Sequence, residues 1–265
     1  MSFTSQLYPG EAIFDDSTPE HATLPPAGTT RGLMLDRRTT PFGQMVGAPP
    51  FPQELLIPRG EWQARIQEME ERKSNISSIS IAAGLPCKDQ DGIPYCWIFG
   101  PTHCAEIVRV IQNQPMVELS AASAGALIKN FRAEGGWGEE GLAWLVEHGQ
   151  VPTSTWPENK LDRRYATAEN KQLALQYRVT EWMELRPRNT DELVSCLLRR
   201  IPVAGGYNWW SHEITNCDAV WLDGDVSIRI RNSWSMSWGD KGFSILRGSK
   251  MLADDAVAPH VATAS

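Results

Sequence analysis

Three residues with complementary chemistry follow one another along the chain: Cys96 at the head of an apolar helical run, a lone His212 in an alternating segment, and Asn232 opening Asn232-Ser233-Trp234. A neutral thiol is a weak nucleophile and its thiolate a strong one, so a reactive cysteine needs a base to take its proton. An imidazole can do this, and an amide can hold the imidazole in position. Cys, His and Asn in this order are therefore the parts of a thiol nucleophile, its base and the base's orienter. Rival pairings fail on geometry. His103 lies seven residues after Cys96 on the same expected helix, about 10 Å along the axis at 1.5 Å per residue. Cys217 stands at an odd offset from His212, which in a regular strand puts it on the opposite face.

Other chemistries find less support. Gly136-Trp137-Gly138-Glu139-Glu140-Gly141 fits GxGxxG, but no strand pattern precedes it and two carboxylates sit where phosphates would lie. The histidines and cysteines lack zinc-ligand spacing, and no GxSxG is present. No metal and no cofactor is expected. The net charge of −7, with no Lys/Arg run longer than two, argues against nucleic acid. No apolar stretch approaches the roughly 18 residues of a membrane span, and the first residues lack the pattern of a secretory signal. Five cysteines, an odd count without paired spacing, fit a reducing compartment in which the spare thiols are small buried hydrophobes. A cytoplasmic location is the expectation.

Four separated pieces resemble the papain-like cysteine peptidases. Lys88-Asp89-Gln90-Asp91-Gly92-Ile93-Pro94-Tyr95-Cys96-Trp97 looks like that family's segment leading to the nucleophile, and Gly135-Gly136-Trp137 is similar to its substrate cleft. Ser211-His212-Glu213-Ile214 matches the strand carrying the base, and Asn232-Ser233-Trp234 with Trp238-Gly239 is the most specific match. His212 and Asn232 follow Cys96 by 116 and 136 residues, against roughly 130–150 in the family, so the histidine comes early. Ile93 stands where extracellular relatives carry a disulfide cysteine. The resemblance implies that Cys96 is the nucleophile, His212 the acid–base and Asn232 its orienter, with Gln90 donating its amide to the oxyanion. Gly135, Gly136 and Trp137 would meet an extended peptide, with Trp97, Trp234 and Trp238 in support. The partner so implied is a peptide or protein substrate.

The elements that must position these residues read as α+β. A helical lobe, about 85–170, precedes a β-rich lobe, about 175–250, as in the two-lobed papain-like layout with a barrel-like second half. The central helix is expected at 96–113, kinked early by Pro101. Further helices are expected from Gly141 to Gly149 and over 191–200, the latter capped by Asn189 or Thr190. Strands are expected at 179–185, 202–206, 220–222, 226–231 and 243–246, with Asp223-Gly224 as a hairpin turn. Residues 251–265 read as a C-terminal tail.

Residues 1–75 resemble nothing in that family. Up to Pro58 they are broken by nine prolines yet carry Phe3, Leu7, Tyr8, Ile13, Phe14, Leu33, Met34, Leu35, Phe42, Met45 and Phe51. A solvated linker has fewer large apolar groups, so this arm must lie on its own domain or on a neighbouring subunit. Residues 60–73, with Trp62, Ile66 and Met69 on one face, form an amphipathic helix. It is expected to dock on the domain; the alternative is a pro-segment covering the cleft. Two functions follow. One is a cysteine peptidase. The other is a structural or assembly protein, such as a virus-particle component, that uses the domain as a scaffold and residues 1–58 to form an oligomer or larger assembly.

Overall fold

A computed structural model describes residues 8, 10–35 and 46–263. Phe3, Leu7, Phe42 and Met45 lie outside the described residues. One seven-stranded sheet organises the chain, in the order β1-β6-β5-β4-β3-β7-β2. Its strands are β1 (Ile13–Phe14), β2 (Val179–Glu184), β3 (Val203–Tyr207), β4 (His212–Leu222), β5 (Asp225–Arg231), β6 (Phe243–Leu246) and β7 (Asp255–Ala262). Asp223 and Gly224 take φ +48° and +84°, joining β4 to β5 through the expected left-handed turn.

Seven helices accompany the sheet: α1 (Arg59–Glu71), α2 (Ile76–Ala82), α3 (Cys96–Ile111), α4 (Ala121–Ile128), α5 (Gly138–Glu147), α6 (Ala168–Ala174) and α7 (Thr190–Leu198). α3 is buried from Cys96 to Arg109 and packs on β3, β4, β7, α2, α4 and α5. It runs unbroken through Pro101, which leaves the Trp97 carbonyl without its usual backbone donor. Ser120 caps α4, accepting the Ser123 N–H at 3.2 Å. Asn189 caps α7 by accepting the Glu192 N–H at 3.1 Å. α1 buries Trp62 and Ile66 in the main apolar core, so it is the docked helix that its pattern indicated. Cys104, Cys196 and Cys217 are buried free thiols.

Two expectations need correction. Residues 251–265 are no tail, because Asp255–Ala262 is a strand held between β3 and β2. The β-rich half is an open sheet whose edges are β1 and β2. The arm lies on its own domain, one of the two seats expected for it. Its β1 pairs in parallel with β6, and farther along Phe51 N–H donates to the Glu184 carbonyl at 2.9 Å while Glu184 N–H donates to Pro49 at 2.8 Å. The arm thus covers both edges of the sheet, groups that would otherwise be unpaired pairing sites. To pass from one edge to the other it crosses the head of α3.

Candidate active site

Cys96 is the first residue of α3 and fully buried. Its sulfur accepts backbone N–H groups from Glu213, Gly32 and Trp97, the Gly32 contact measuring 3.1 Å. Because Glu213 directly follows His212, the same contact ties the start of β4 to the head of α3. The His212 Nε2–H donates to Asn232 Oδ1 at 2.7 Å. Asn232 Oδ1 also accepts the Ser233 N–H at 2.7 Å, which fixes the orientation of its amide. With Nε2 as the donor, Nδ1 keeps its lone pair, and among the described residues it finds no hydrogen-bond partner.

Aromatic rings enclose this imidazole. Trp234 stacks on His212 at 4.3 Å between centroids, and Trp210 meets it edge-on at 5.2 Å. Trp238 packs against both tryptophans, and Phe14 of the arm packs on Trp238 and Trp210 at 6.0 and 5.9 Å. Trp210 and Phe14 carried no signal in the sequence beyond being apolar.

Gln90 reaches the site through the chain before α3. Residues 88–90 run antiparallel beside 233–235, with Gln90 N–H on the Ser233 carbonyl and Ser235 N–H on the Lys88 carbonyl. The Ser233 hydroxyl donates to Gln90 Oε1 at 2.6 Å, which turns the Gln90 amide nitrogen towards the cleft. Ser233 is a positioning residue that the sequence reading passed over. So is Lys88, buried with its Nζ 2.7 Å from Glu106 of α3 and 2.6 Å from the Leu119 carbonyl. Burial works against its charge, but Glu106 and Glu158 hold its pKa above the usual lysine range.

The expected cleft glycines also stand at this site. A Cβ on Gly136 would lie 2.6 Å from the Trp97 ring, so only glycine lets this backbone close on the helix. Trp97 in turn donates to the Glu134 carbonyl at 3.1 Å. Trp137 is half-buried at the N-cap of α5.

The cleft is occupied by the arm. Gln90 Nε2 donates to the Thr30 carbonyl at 3.0 Å, Gly32 N–H to the Cys96 sulfur, and Met34 N–H to the Gly136 carbonyl at 2.9 Å. Gly136 N–H returns to the Gly32 carbonyl at 2.9 Å, giving a parallel bridge between Leu33 and Gly136. A peptide therefore lies across the thiol, but it offers sulfur an N–H rather than a carbonyl carbon. The amphipathic helix does not cover the cleft; residues 30–34 do.

Burial sets the electrostatics of the site. Burial pushes the Cys96 thiol up to about 12, against the three N–H contacts that favour the thiolate. Burial also takes His212 down to about 3, opposed by the Asn232 hydrogen bond and assisted by the positive charge of Arg31 in the arm. Under the arm, thiol and imidazole are both neutral. Glu213 is raised well above the carboxylate range by burial and by the neighbouring Asp255 and Glu139.

Comparison with known proteins bears on this arrangement. No protein-family profile matches the chain. Two curated relatives, Cathepsin L 2 and Cathepsin L 1 of Paramecium tetraurelia, are each 24% identical over 177 residues, 61% of this chain. The match spans 55% of each relative's length. Among solved structures, procathepsin B S9 of Trypanosoma congolense aligns at TM-score 0.60 with 14% identity, over 86% of this chain and 85% of that one. Digestive procathepsin L 3 of Tenebrio molitor aligns at 0.59 with 17% identity, over 83% and 78%. Xylellain, a cysteine protease of Xylella fastidiosa, aligns at 0.58 with 18% identity, over 88% and 97%. The fold shared with these structures is papain-like.

Proposed function

We propose, for a chain whose fold and relatives are those of papain-like cysteine peptidases, that it hydrolyses peptide bonds through Cys96 and that the arm-covered form is its resting state. The supporting observation is the peptide already in the cleft, whose Thr30 carbonyl takes the Gln90 amide donor beside the Cys96 sulfur. That oxygen stands in for the carbonyl oxygen of a substrate.

With the arm displaced and a substrate bound, the Cys96 thiol proton passes to His212 Nδ1, the nitrogen that the Asn232 contact leaves free. Sulfur attacks the substrate carbonyl carbon, and the oxygen gains negative charge stabilised by Gln90 Nε2. The imidazolium then gives its proton to the leaving amine nitrogen as the C–N bond breaks, leaving a thioester on Cys96. Water, deprotonated by His212, cleaves the thioester to release the acid and restore the thiol. The Trp234 and Trp210 rings keep water from the His212–Asn232 hydrogen bond throughout.

The second reading is a scaffold whose arm serves assembly. A thiol-directed epoxide probe separates the two. The peptidase reading expects labelling at Cys96, abolished by Cys96→Ala, together with peptide hydrolysis lost in the same variant. Labelling only at Cys104 or Cys217, or hydrolysis that survives Cys96→Ala, would refute it.

A further inference from the structure

The helical lobe holds a second concave site, apart from the cleft. A cavity of about 320 Å³ lies between α4, α5, α6 and the turn 149–151, and none of its lining residues is among those around Cys96 and His212. Its volume is that of a small-molecule site. Much of the lining is ring surface. Trp144 of α5 and His148 just beyond it stand 4.0 Å apart between ring centroids. Trp156 lines the cavity from the following loop, and its indole N–H donates to the Lys160 carbonyl at 2.7 Å, which leaves the ring rather than the N–H for an occupant. Leu127 and Val151 add aliphatic surface. Flat apolar walls of this kind favour an aromatic ring.

The polar groups are unequal in sign. No carboxylate among the described residues lines the cavity, in a chain whose net charge is −7. Lys171 of α6 is exposed at its mouth and makes no ion pair among the described residues. At the buried end, Gln150 is 1% exposed and its Oε1 accepts the Thr102 hydroxyl at 2.9 Å. That bond fixes the amide, and Nε2 finds no hydrogen-bond partner among the described residues. A buried donor without an acceptor is costly, and an oxygen on an occupant would satisfy it.

We propose that this cavity binds a small aromatic acid with an oxygen at the far end of its ring, of the para-hydroxyphenyl carboxylate class. The ring lies along Trp144 and Trp156, the carboxylate meets Lys171 at the mouth, and the ring oxygen accepts from Gln150 Nε2. Charge at the mouth stays hydrated, whereas a carboxylate carried down to Gln150 would exchange its water for one neutral donor. The assignment does not depend on the chemistry of Cys96.

The test is isothermal titration calorimetry of the full chain with para-hydroxyphenylacetate, for which saturable binding with Kd below about 1 mM is expected. Lys171→Gln should weaken it roughly threefold, as loss of an exposed ion pair does. Phenylacetate, which lacks the ring oxygen, should bind about tenfold more weakly. Ala166→Phe, which adds a ring at a half-buried lining position, should abolish binding. Absence of saturation up to about 5 mM overturns the proposal. So does an affinity unmoved by Lys171→Gln, or one matched by the neutral alcohol tyrosol. Binding that survives in a folded Ala166→Phe variant would put the ligand elsewhere and overturn it too; should that variant not fold, the Lys171→Gln and phenylacetate comparisons decide.

Discussion

Gly32→Ala should uncover Cys96 without touching any catalytic group. A Cβ at this position would lie 1.9 Å from the Pro94 carbonyl oxygen and 2.3 Å from its carbon. Both are backbone atoms in the turn that delivers Cys96 to the head of α3, so they cannot swing aside as a flexible side chain would. The crossing segment must lift instead. Lifting breaks the Gly32 N–H contact to sulfur and the two hydrogen bonds that exchange N–H and carbonyl groups with Gly136. At a net value of about 1 kcal/mol each, the closed state loses roughly 3 kcal/mol, and the open population grows about a hundredfold.

The assay is the rate of iodoacetamide alkylation at Cys96, followed by mass spectrometry under conditions where the protein stays folded. Gly60→Ala in α1, where nothing lies within 4 Å of the added carbon, is the control. It should leave the rate alone and raise stability slightly, by roughly 0.5–1 kcal/mol. The thiol of Gly32→Ala should also titrate well below its covered value of about 12, since burial is the main cause of that value. An alkylation rate within threefold of the parent, with an unchanged melting temperature, would refute the steric reasoning.

The same geometry yields three further outcomes. Ser233→Ala removes the hydroxyl that orients the Gln90 amide, so kcat for peptide hydrolysis should fall by roughly 10–100-fold, somewhat less than deleting an oxyanion donor outright, while the melting temperature stays close to that of the parent. Lys88→Met leaves Glu106 buried without its cation and should cost about 3–5 kcal/mol in urea unfolding, most of it recovered by adding Glu106→Leu. His212, with its folded pKa lowered to about 3, resists a proton that the unfolded chain accepts near 6.5. The unfolded state therefore binds more protons in that window, and the His212 contribution to stability falls as pH drops from 6.5 towards 3. Raised carboxylates such as Glu213 act in the opposite sense, so the readout is the difference between parent and His212→Gln. The parent should lose more stability than the variant between pH 7 and pH 4.5, and equal losses would contradict the argument.

The candidate site residues stand out in the sequence because the chemistry they suit demands particular residue types at ordered positions. Cys96, His212, Asn232 and Gln90 each stand in a short string, and the folded chain gathers them at the meeting of α3, β4 and the 88–90 segment. The crossing over the thiol was not legible. It depends on Gly32, whose role is the absence of a side chain beside the Pro94 carbonyl, and on backbone hydrogen bonds that any residue could make. β7 was missed for a related reason. Asp255–Ala262 contains Pro259 and several alanines, a poor strand pattern, and it is a strand because β3 and β2 pair with it on either side. α4 is built from Ala, Ser and Gly, whose small side chains give little helical periodicity, although Ser120 was a readable cap. α3 continues through Pro101 because packing on three strands and three helices outweighs one missing backbone hydrogen bond.

Covering a cleft need not silence a thiol, since a small probe or a short peptide could slip past a loose segment. Here the cover also acts on the proton. With sulfur raised to about 12 and imidazole lowered to about 3, moving the proton from Cys96 to His212 is far less favourable than for the same groups at their ordinary values. Both shifts have burial as their largest cause; Arg31 of the arm reinforces the His212 shift, while the Gly32 N–H opposes the Cys96 shift. Resolvation of the cleft would relax the two values towards each other, while the N–H groups of Glu213 and Trp97 remain beside the sulfur to favour its anion. One displacement thus admits the substrate and lowers the barrier to forming the nucleophile. Gln90 and Asn232 are meanwhile already held in place by Ser233.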